Sequence, residues 1–293
     1  MEIVIGVDTL CYHCRLEAGG ITHREIFTEV AQLGVQFVQL NAYHLRSTPA
    51  VEVHKLREMA ACLGLGLTLA GGMVGRASEP DPAVGVARVH DWLQLARVLG
   101  SPYMRVSSGF YRSDLMGQAK AISAEQRYME HVLSRALAED SGSPVQLLIE
   151  NHSDFTPAEY VELIEAVGAD RLGVFLDIIN PVSVLNDPLP VVQSLAPWAI
   201  AGHVKDFRLI SRYVEDGYHR RGFDVQWCYP GEGVADLPAL IGALKASIRH
   251  QPYYLSIEGL DNYPDRADQR DRLAHSLNLL RELCGSASEH SRR

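Results

Sequence analysis

The stretch VQLLIENHSDFTPAEYVELIEAVGADRLGVFLDI, residues 145–178, reads as one strand–helix–strand unit. Its two apolar runs, Val145–Asn151 and Leu172–Ile178, have the length of buried strands. Between them, Thr156-Pro157 places a capping side chain before a proline at the first helical position. Thr156-x-x-Glu159 also fits a capping box. Val167-Gly168 then puts a glycine where the helix must turn back into a strand. Two strands joined through a helix run parallel, because parallel strands need a crossover rather than a hairpin.

The same unit recurs along the whole chain. Further strands are expected at Ile3–Asp8, Phe37–Leu40, Leu65–Ala70, Tyr103–Ser107, Ile200–Asp206 and Tyr253–Gly259. Amphipathic stretches lie between them, among them Arg24–Leu33, Ala50–Leu63, Ala83–Leu99 and Ser123–Glu139. Thr48-Pro49 and Asp81-Pro82 repeat the helix-start signal, and Ser123-x-x-Gln126 offers a second capping box. Leu33-Gly34, Leu63-Gly64 and Leu99-Gly100 repeat the stop. Eight such units predict a (β/α)8 TIM barrel, a fold of about 250 residues. The alternative, an open doubly wound sheet, usually carries a glycine-rich phosphate turn after its first strand. Gly19-Gly20 and Gly71-Gly72 are too sparse for one. Residues 1–284 are expected to form one barrel domain, and the small, polar residues 285–293 a disordered tail. The long, charged and aromatic stretch Arg208–Tyr229 follows the seventh strand and is expected to be a loop over the barrel mouth.

Composition narrows the class of function. The chain has 293 residues, 47% of them hydrophobic, with a net charge of -9. An acidic surface argues against nucleic acid, whose phosphates need Lys and Arg to displace counterions. No apolar run is long enough to span a bilayer. The start, Met1-Glu2-Ile3-Val4-Ile5, lacks the basic segment and cleavage site of a signal peptide, so a cytoplasmic protein is expected. Five scattered cysteines do not make a disulfide framework. Cys11-Tyr12-His13-Cys14 has CxxC spacing, but there is no second pair to complete a zinc knuckle. It is read as two reduced cysteines in a loop.

Four apolar runs each finish on a metal-ligand residue: Leu147-Leu148-Ile149-Glu150, Val174-Phe175-Leu176-Asp177, Ile200-Ala201-Gly202-His203 and Leu255-Ser256-Ile257-Glu258. In a barrel the C-terminal ends of consecutive strands converge on one mouth. A lone carboxylate at a strand end is as well explained as a solvated loop anion. Four ionisable residues closing four consecutive buried strands are not, since buried carboxylates are costly unless paired or metal-bound. Three carboxylates and one imidazole suit a divalent metal, best Mn2+, with Mg2+, Co2+ or Zn2+ also accommodated.

On these residues the chain resembles the xylose isomerase-like TIM-barrel superfamily of sugar isomerases and epimerases. Ile149-Glu150-Asn151, Leu176-Asp177, Gly202-His203-Val204-Lys205-Asp206, Tyr229-Pro230-Gly231-Glu232-Gly233 and Ile257-Glu258 stand in that family's order. The resemblance covers nearly the whole chain and is stronger in the second half. It implies that Glu150, Asp177, His203 and Glu258 bind the metal, and that Glu150 and Glu258 are also the catalytic acid/base pair. Two departures matter. Epimerases of the tagatose type often carry a histidine where this chain has Asn180. The branch resembling endonuclease IV needs an Asp-x-His pair that Phe223-Asp224-Val225-Gln226 does not supply.

The chemistry implied is proton transfer beside a carbonyl. A metal chelating a ketone and a neighbouring hydroxyl stabilises an enediolate, and one carboxylate on each face of the carbon removes and returns the proton. Return to the other face gives epimerisation, and return to the next carbon gives isomerisation. Loss of water or of CO2 from the same intermediate makes the enzyme a lyase. The leading expectation is a metal-dependent isomerase or epimerase of a keto-sugar or related small carbohydrate. The alternative is a lyase, either a 3-oxo sugar acid decarboxylase or a dehydratase of the keto-inositol type. A third reading, a non-catalytic carbohydrate-binding subunit, leaves the two glutamates unexplained. His13, Arg105, His152, Lys205, Arg208 and Glu232 are candidate substrate-binding residues, each also readable as a structural ion pair or a solvated loop residue. The expected partner is a small carbohydrate, with no nucleic acid and no membrane. A homo-oligomer is expected because dimers and tetramers are common in enzymes resembling this one.

Overall fold

In the computed structural model, residues 2–214, 220–259 and 268–285 are described. Eight parallel strands close into a barrel: β1 (Ile3–Asp8), β2 (Phe37–Asn41), β3 (Gly66–Met73), β4 (Tyr103–Ser107), β5 (Gln146–Glu150), β6 (Leu172–Asp177), β7 (Ala199–Val204) and β10 (Tyr253–Ile257). Around the barrel, β1 lies between β2 and β10, and β10 pairs with β7. The remaining two strands, β8 (Asp206–Val214) and β9 (Arg220–Cys228), form an antiparallel ribbon between β7 and the helix Leu237–Ser247.

This ribbon corrects the expectation of a loop at Arg208–Tyr229. Ile210, Tyr213, Phe223, Val225 and Trp227 are β-formers, and cross-strand pairing satisfies the backbone that a long loop would leave to water. The helix at Ala119–Glu139 begins before Ser123, so the Ser123–Gln126 capping box does not form. Ala50–Cys62 starts on Pro49 without a side-chain cap from Thr48. Cys11 and Cys14 are free, as expected, but they lie on helical turns, Thr9–Tyr12 and His13–Glu17, rather than in a loop. Asp81 and Thr156 do cap their helices, the latter with the complete capping box to Glu159. Gly34, Gly64 and Gly100 adopt the left-handed conformation that ends a helix, with φ of 69°, 71° and 73°. Gly285 closes the last helix, Gln269–Cys284, in the same way. The tail expected after it lies outside the described residues.

Strand alternation divides the apolar residues into two layers. One parity, including Val7, Leu40, Leu69, Val106, Ile149, Val174, Leu176 and Ile257, faces the surrounding helices and forms the large core. The other parity points into the barrel, where Tyr103, Leu148, Phe175 and Ala201 form a separate cluster flanked by Tyr254. Phe37 closes this inner layer against Tyr254, with ring centroids 5.4 Å apart. A Cβ on Gly6 would overlap the Phe37 ring, so glycine is what lets that ring enter the barrel. Two residues further along the same parity lie Arg105, Glu150, Asp177 and His203. The inner apolar layer is therefore the floor of the polar cluster above it.

Candidate metal centre

The period of two fixes which side chains meet. Glu150 is the last residue of β5 and Asp177 the last of β6, and Asp177 lies directly beside His203 across the β6–β7 pairing. Glu258 follows β10, its N–H donating to the Val204 carbonyl at 3.1 Å. All four side chains are buried. Nδ1 of His203 is 3.4 Å from Glu258 Oε1, 3.5 Å from Glu150 Oε1 and 3.9 Å from Asp177 Oδ2, and it makes no hydrogen bond. Ligand atoms about 2.1 Å from one tetrahedral ion sit roughly 3.4 Å apart. Three carboxylate oxygens thus surround one imidazole nitrogen, and Glu150–Asp177–His203 and Asp8–His203–Glu258 are each close enough to share a cation.

Charge points the same way. Glu150, Asp177, Glu258 and Asp8 are four buried carboxylates, and Arg105 and Lys205 are the two fixed cations among them. Two negative charges are left over, the complement of one divalent ion. Burial disfavours a charged imidazole. The carboxylates of Glu258, Asp8 and Glu150 outweigh that and push His203 up to about 10. A proton on Nδ1 and a cation on Nδ1 are alternative ways of meeting the same field.

The surroundings hold the donors in place. Arg105 Nη1 is 2.7 Å from Glu150 Oε2. Burial alone would raise the Glu150 carboxyl, but Arg105 and His203 hold it well below the usual carboxylate range. Lys205 Nζ donates to Asp177 Oδ2 at 2.7 Å and to Glu258 Oε2, and it lies 5.1 Å from the centre of the Trp227 ring at the base of the ribbon. Burial would lower the Lys205 ammonium, but Asp177 and Glu258 raise it instead. Asp177 Oδ1 accepts the N–H groups of Ile179 and Asn180, each at 2.8 Å. Asn151 joins the ends of β5 and β6, accepting from Asp177 N at 2.7 Å and donating to its carbonyl at 2.8 Å. The ring of Phe175 meets His203 edge-on, 4.6 Å between centroids.

The sequence-predicted residues therefore divide. Glu150, Asp177, His203, Glu258, Arg105 and Lys205 come together. His13 stands at the rim, its Nδ1 2.9 Å from Nε2 of His44. His152 is half-buried two residues beyond Glu150, its ring 5.8 Å from that of Tyr111. Arg208 and Glu232 do not join the cluster. Arg208 Nε donates to the Glu232 carbonyl at 2.9 Å, and the Glu232 carboxylate is held by Arg272 at 2.5 and 2.6 Å. Asp206 explains the neighbouring glycine turn: its carboxylate accepts from Gly231, Gly233 and Ala235 at 3.0–3.1 Å.

Asp8, Gln39 and the role of Asn180 were missed by the sequence reading. Asp8 Oδ2 lies 3.0 Å from His203 Nε2. Asn180 Nδ2 donates to Glu150 Oε1 at 3.4 Å from the position where the resembling epimerases have histidine. Asp8 carried a usable signal, since it closes the apolar run Ile3–Asp8 just as the four other ligand-type residues close theirs. Gln39, in mid-strand, carried none.

A family described as the xylose isomerase-like TIM barrel matches residues 27–283. The chain belongs to the xylose isomerase-like TIM barrel family. Within the described residues, no helix is long and apolar enough to cross a membrane. The chain is 24% identical over 252 residues to the 3-oxo-isoapionate decarboxylase of Pectobacterium atrosepticum, covering 85% of this chain and 83% of that protein. Its fold is similar to that of the IolI protein solved with a zinc atom bound, at a TM-score of 0.72 and 12% identity over 99% of this chain and 100% of that one. It is also similar to D-psicose 3-epimerase solved in the presence of D-fructose, at a TM-score of 0.71 and 17% identity over 98% and 100%. These related proteins include a decarboxylase and an epimerase, so membership of the family is compatible with more than one reaction.

Proposed function

We propose that this protein is a divalent-metal-dependent lyase that removes CO2 from a 3-oxo sugar acid. Glu150, Asp177, His203 and Glu258 would hold the metal. The observation that carries the reading is the pairing of both glutamates with fixed cations, Glu150 with Arg105 and Glu258 with Lys205. An epimerase needs one carboxylate free on each face of the carbon to take and return a proton. Here each glutamate already faces a buried cation. A decarboxylase asks for something different: a sink for the electron pair released from the C–C bond, and an acid to protonate the carbon afterwards. A divalent cation held by Glu150, Asp177, His203 and Glu258 would supply Lewis acidity toward the substrate's ketone.

The chain's own residues supply the rest. The bond between the α-carbon and the carboxylate breaks, CO2 leaves, and the electron pair passes into the enediolate. Lys205 Nζ, held as an ammonium between Asp177 and Glu258, gives a proton to that carbon and regains one from solvent. The similarity to the 3-oxo-isoapionate decarboxylase supports this class of substrate. The inner apolar layer closes the site from below and excludes water there. His13 and His44 at the rim suit the hydroxyls of the sugar chain.

The second reading, an isomerase or epimerase of a keto-sugar, is favoured by one feature. Glu150 and Glu258 face the same point near His203 Nδ1 from two different strands. One experiment separates the two. Manganese-loaded protein is incubated in deuterated water with a panel of 3-oxo sugar acids and a panel of ketoses. CO2 release with one deuterium placed in the product is the expected result. Deuterium exchange and conversion among the ketoses, without CO2 release, would establish the second reading instead.

A further inference from the structure

The half of the cluster built from β5, β6 and the residue after β10 ends at Nδ1 of His203; the other edge of that ring is held from β1. Asp8 is fully buried at the end of β1, and its Oδ2 lies 3.0 Å from His203 Nε2. Its other oxygen accepts from Leu10 N at 2.7 Å and from Asn41 Nδ2 at 2.6 Å, and Gln39 Nε2 donates to Oδ2. Asn41 Nδ2 also reaches Thr9 Oγ1 at 3.1 Å, and Gln39 Oε1 accepts from Tyr103 OH at 3.3 Å. The carboxylate therefore cannot turn away without leaving several buried donors unsatisfied.

We propose that Asp8 is the positioning residue of the metal centre. It accepts the Nε2–H of His203 and so fixes the tautomer whose Nδ1 lone pair points at Glu150, Asp177 and Glu258. A histidine ligates through one nitrogen, and the hydrogen bond made by the other selects which. Nδ1 is the buried atom left without a hydrogen bond; Nε2 lies 3.0 Å from Asp8 Oδ2 and 2.9 Å from Gln39 Nε2, and of these two the carboxylate is the acceptor that would hold a proton on Nε2. Asp8 meets the ring at Nε2, whereas Glu150, Asp177 and Glu258 lie round Nδ1, so we place Asp8 behind the ligand, although Asp8, His203 and Glu258 are also close enough together to hold an ion. The inference rests on the metal reading of the site but not on which reaction follows.

The test is zinc binding by Asp8→Asn, measured by competition with a chromophoric chelator, alongside long-range proton–nitrogen NMR of zinc-loaded parent protein. An outer partner of a metal-bound histidine typically changes affinity 10–100-fold. The expected result is a loss of about that size in Asp8→Asn, with zinc on Nδ1 and a proton on Nε2 in the parent. Asn41→Ala, which keeps the carboxylate but removes one of its anchors, should lose less. Should Asp8→Asn fail to fold, the parent spectrum decides by itself. Zinc on Nε2, or affinity in folded Asp8→Asn within twofold of the parent, overturns the role of Asp8. A parent that binds no zinc overturns the metal reading and this inference with it.

Discussion

The two halves of the barrel mouth do different work. In the second half of the barrel, β5, β6, β7 and β10 present Glu150, Asp177, His203 and Glu258, whose carboxylates gather round His203 Nδ1. In the first half, β1, β2 and β4 present Asp8, Gln39, Asn41 and Arg105, which mostly face other protein groups. One half offers donors; the other half holds the donors still. A buried charged cluster survives only if its geometry is held and its remaining lone pairs are met, so neither half would suffice alone. The relatives differ in reaction while sharing the barrel. Residues that pair with the donors, such as Lys205 and Arg105, are therefore where reaction type is to be sought.

Breaking the donor half should have the largest effect. Glu258→Gln keeps the shape of the side chain but removes a ligand charge. Turnover should fall by about 10²-fold or more, with weaker metal binding and an unchanged circular dichroism spectrum. Full activity in that variant would sink the site assignment.

Lys205→Met comes next, and it sharpens the comparison because Lys205 belongs to the donor half but acts as a built-in cation. Removing it strands Asp177 and Glu258. Without metal the protein should lose about 3–5 kcal/mol of stability, as when one partner of a buried ion pair is deleted. Added Mn2+ should restore much of the loss in thermal unfolding, while decarboxylation falls by roughly 10²–10⁴-fold for want of the acid. Equal loss of stability with and without metal would argue that the lysine and the metal do not share those carboxylates.

A smaller effect is expected at Asn180→Ala, which removes one neutral donor to Glu150. About 1 kcal/mol, or a several-fold drop in kcat/KM, should follow. The rim of the supporting half gives the gentlest probe. Burial, and then the neighbouring His44, push His23 down to about 4, below the ordinary value of about 6.5. Between those two values the unfolded chain binds the proton and the folded one does not. Stability should therefore fall as pH drops from about 6.5 toward 4, by on the order of 2 kcal/mol. Urea unfolding at both ends of the window would show the slope, and His23→Gln should flatten it.

The parallel strand–helix repeat was legible because buried strands and capped helices leave local marks. Val145–Asp177 carries all of them: apolar runs, Thr156-Pro157, Glu159 and Gly168. The ribbon at Asp206–Cys228 was not legible as strands, because its alternation is broken by arginines and its two halves stabilise each other only once paired. Glu150, Asp177, His203 and Glu258 were legible for a similar local reason, as charges that end apolar runs. Asp8 bears the same mark at the end of Ile3–Asp8, but it lies in the first half of the chain, away from the motifs that surround the other four. Arg208 and Glu232 looked like site residues for their charge and position, yet they satisfy each other and Arg272.

By itself, then, the sequence determined the periodic elements, the barrel they close into and the ionisable residues at four strand ends. These are properties of short segments, set by side-chain period and backbone conformation. Only the tertiary structure decided that Lys205 stands between Asp177 and Glu258, that Arg105 faces Glu150, and that Asp8 holds His203 from across the barrel. Those partners are tens to nearly two hundred residues apart in the chain. Closing the barrel is what brings them within hydrogen-bond distance.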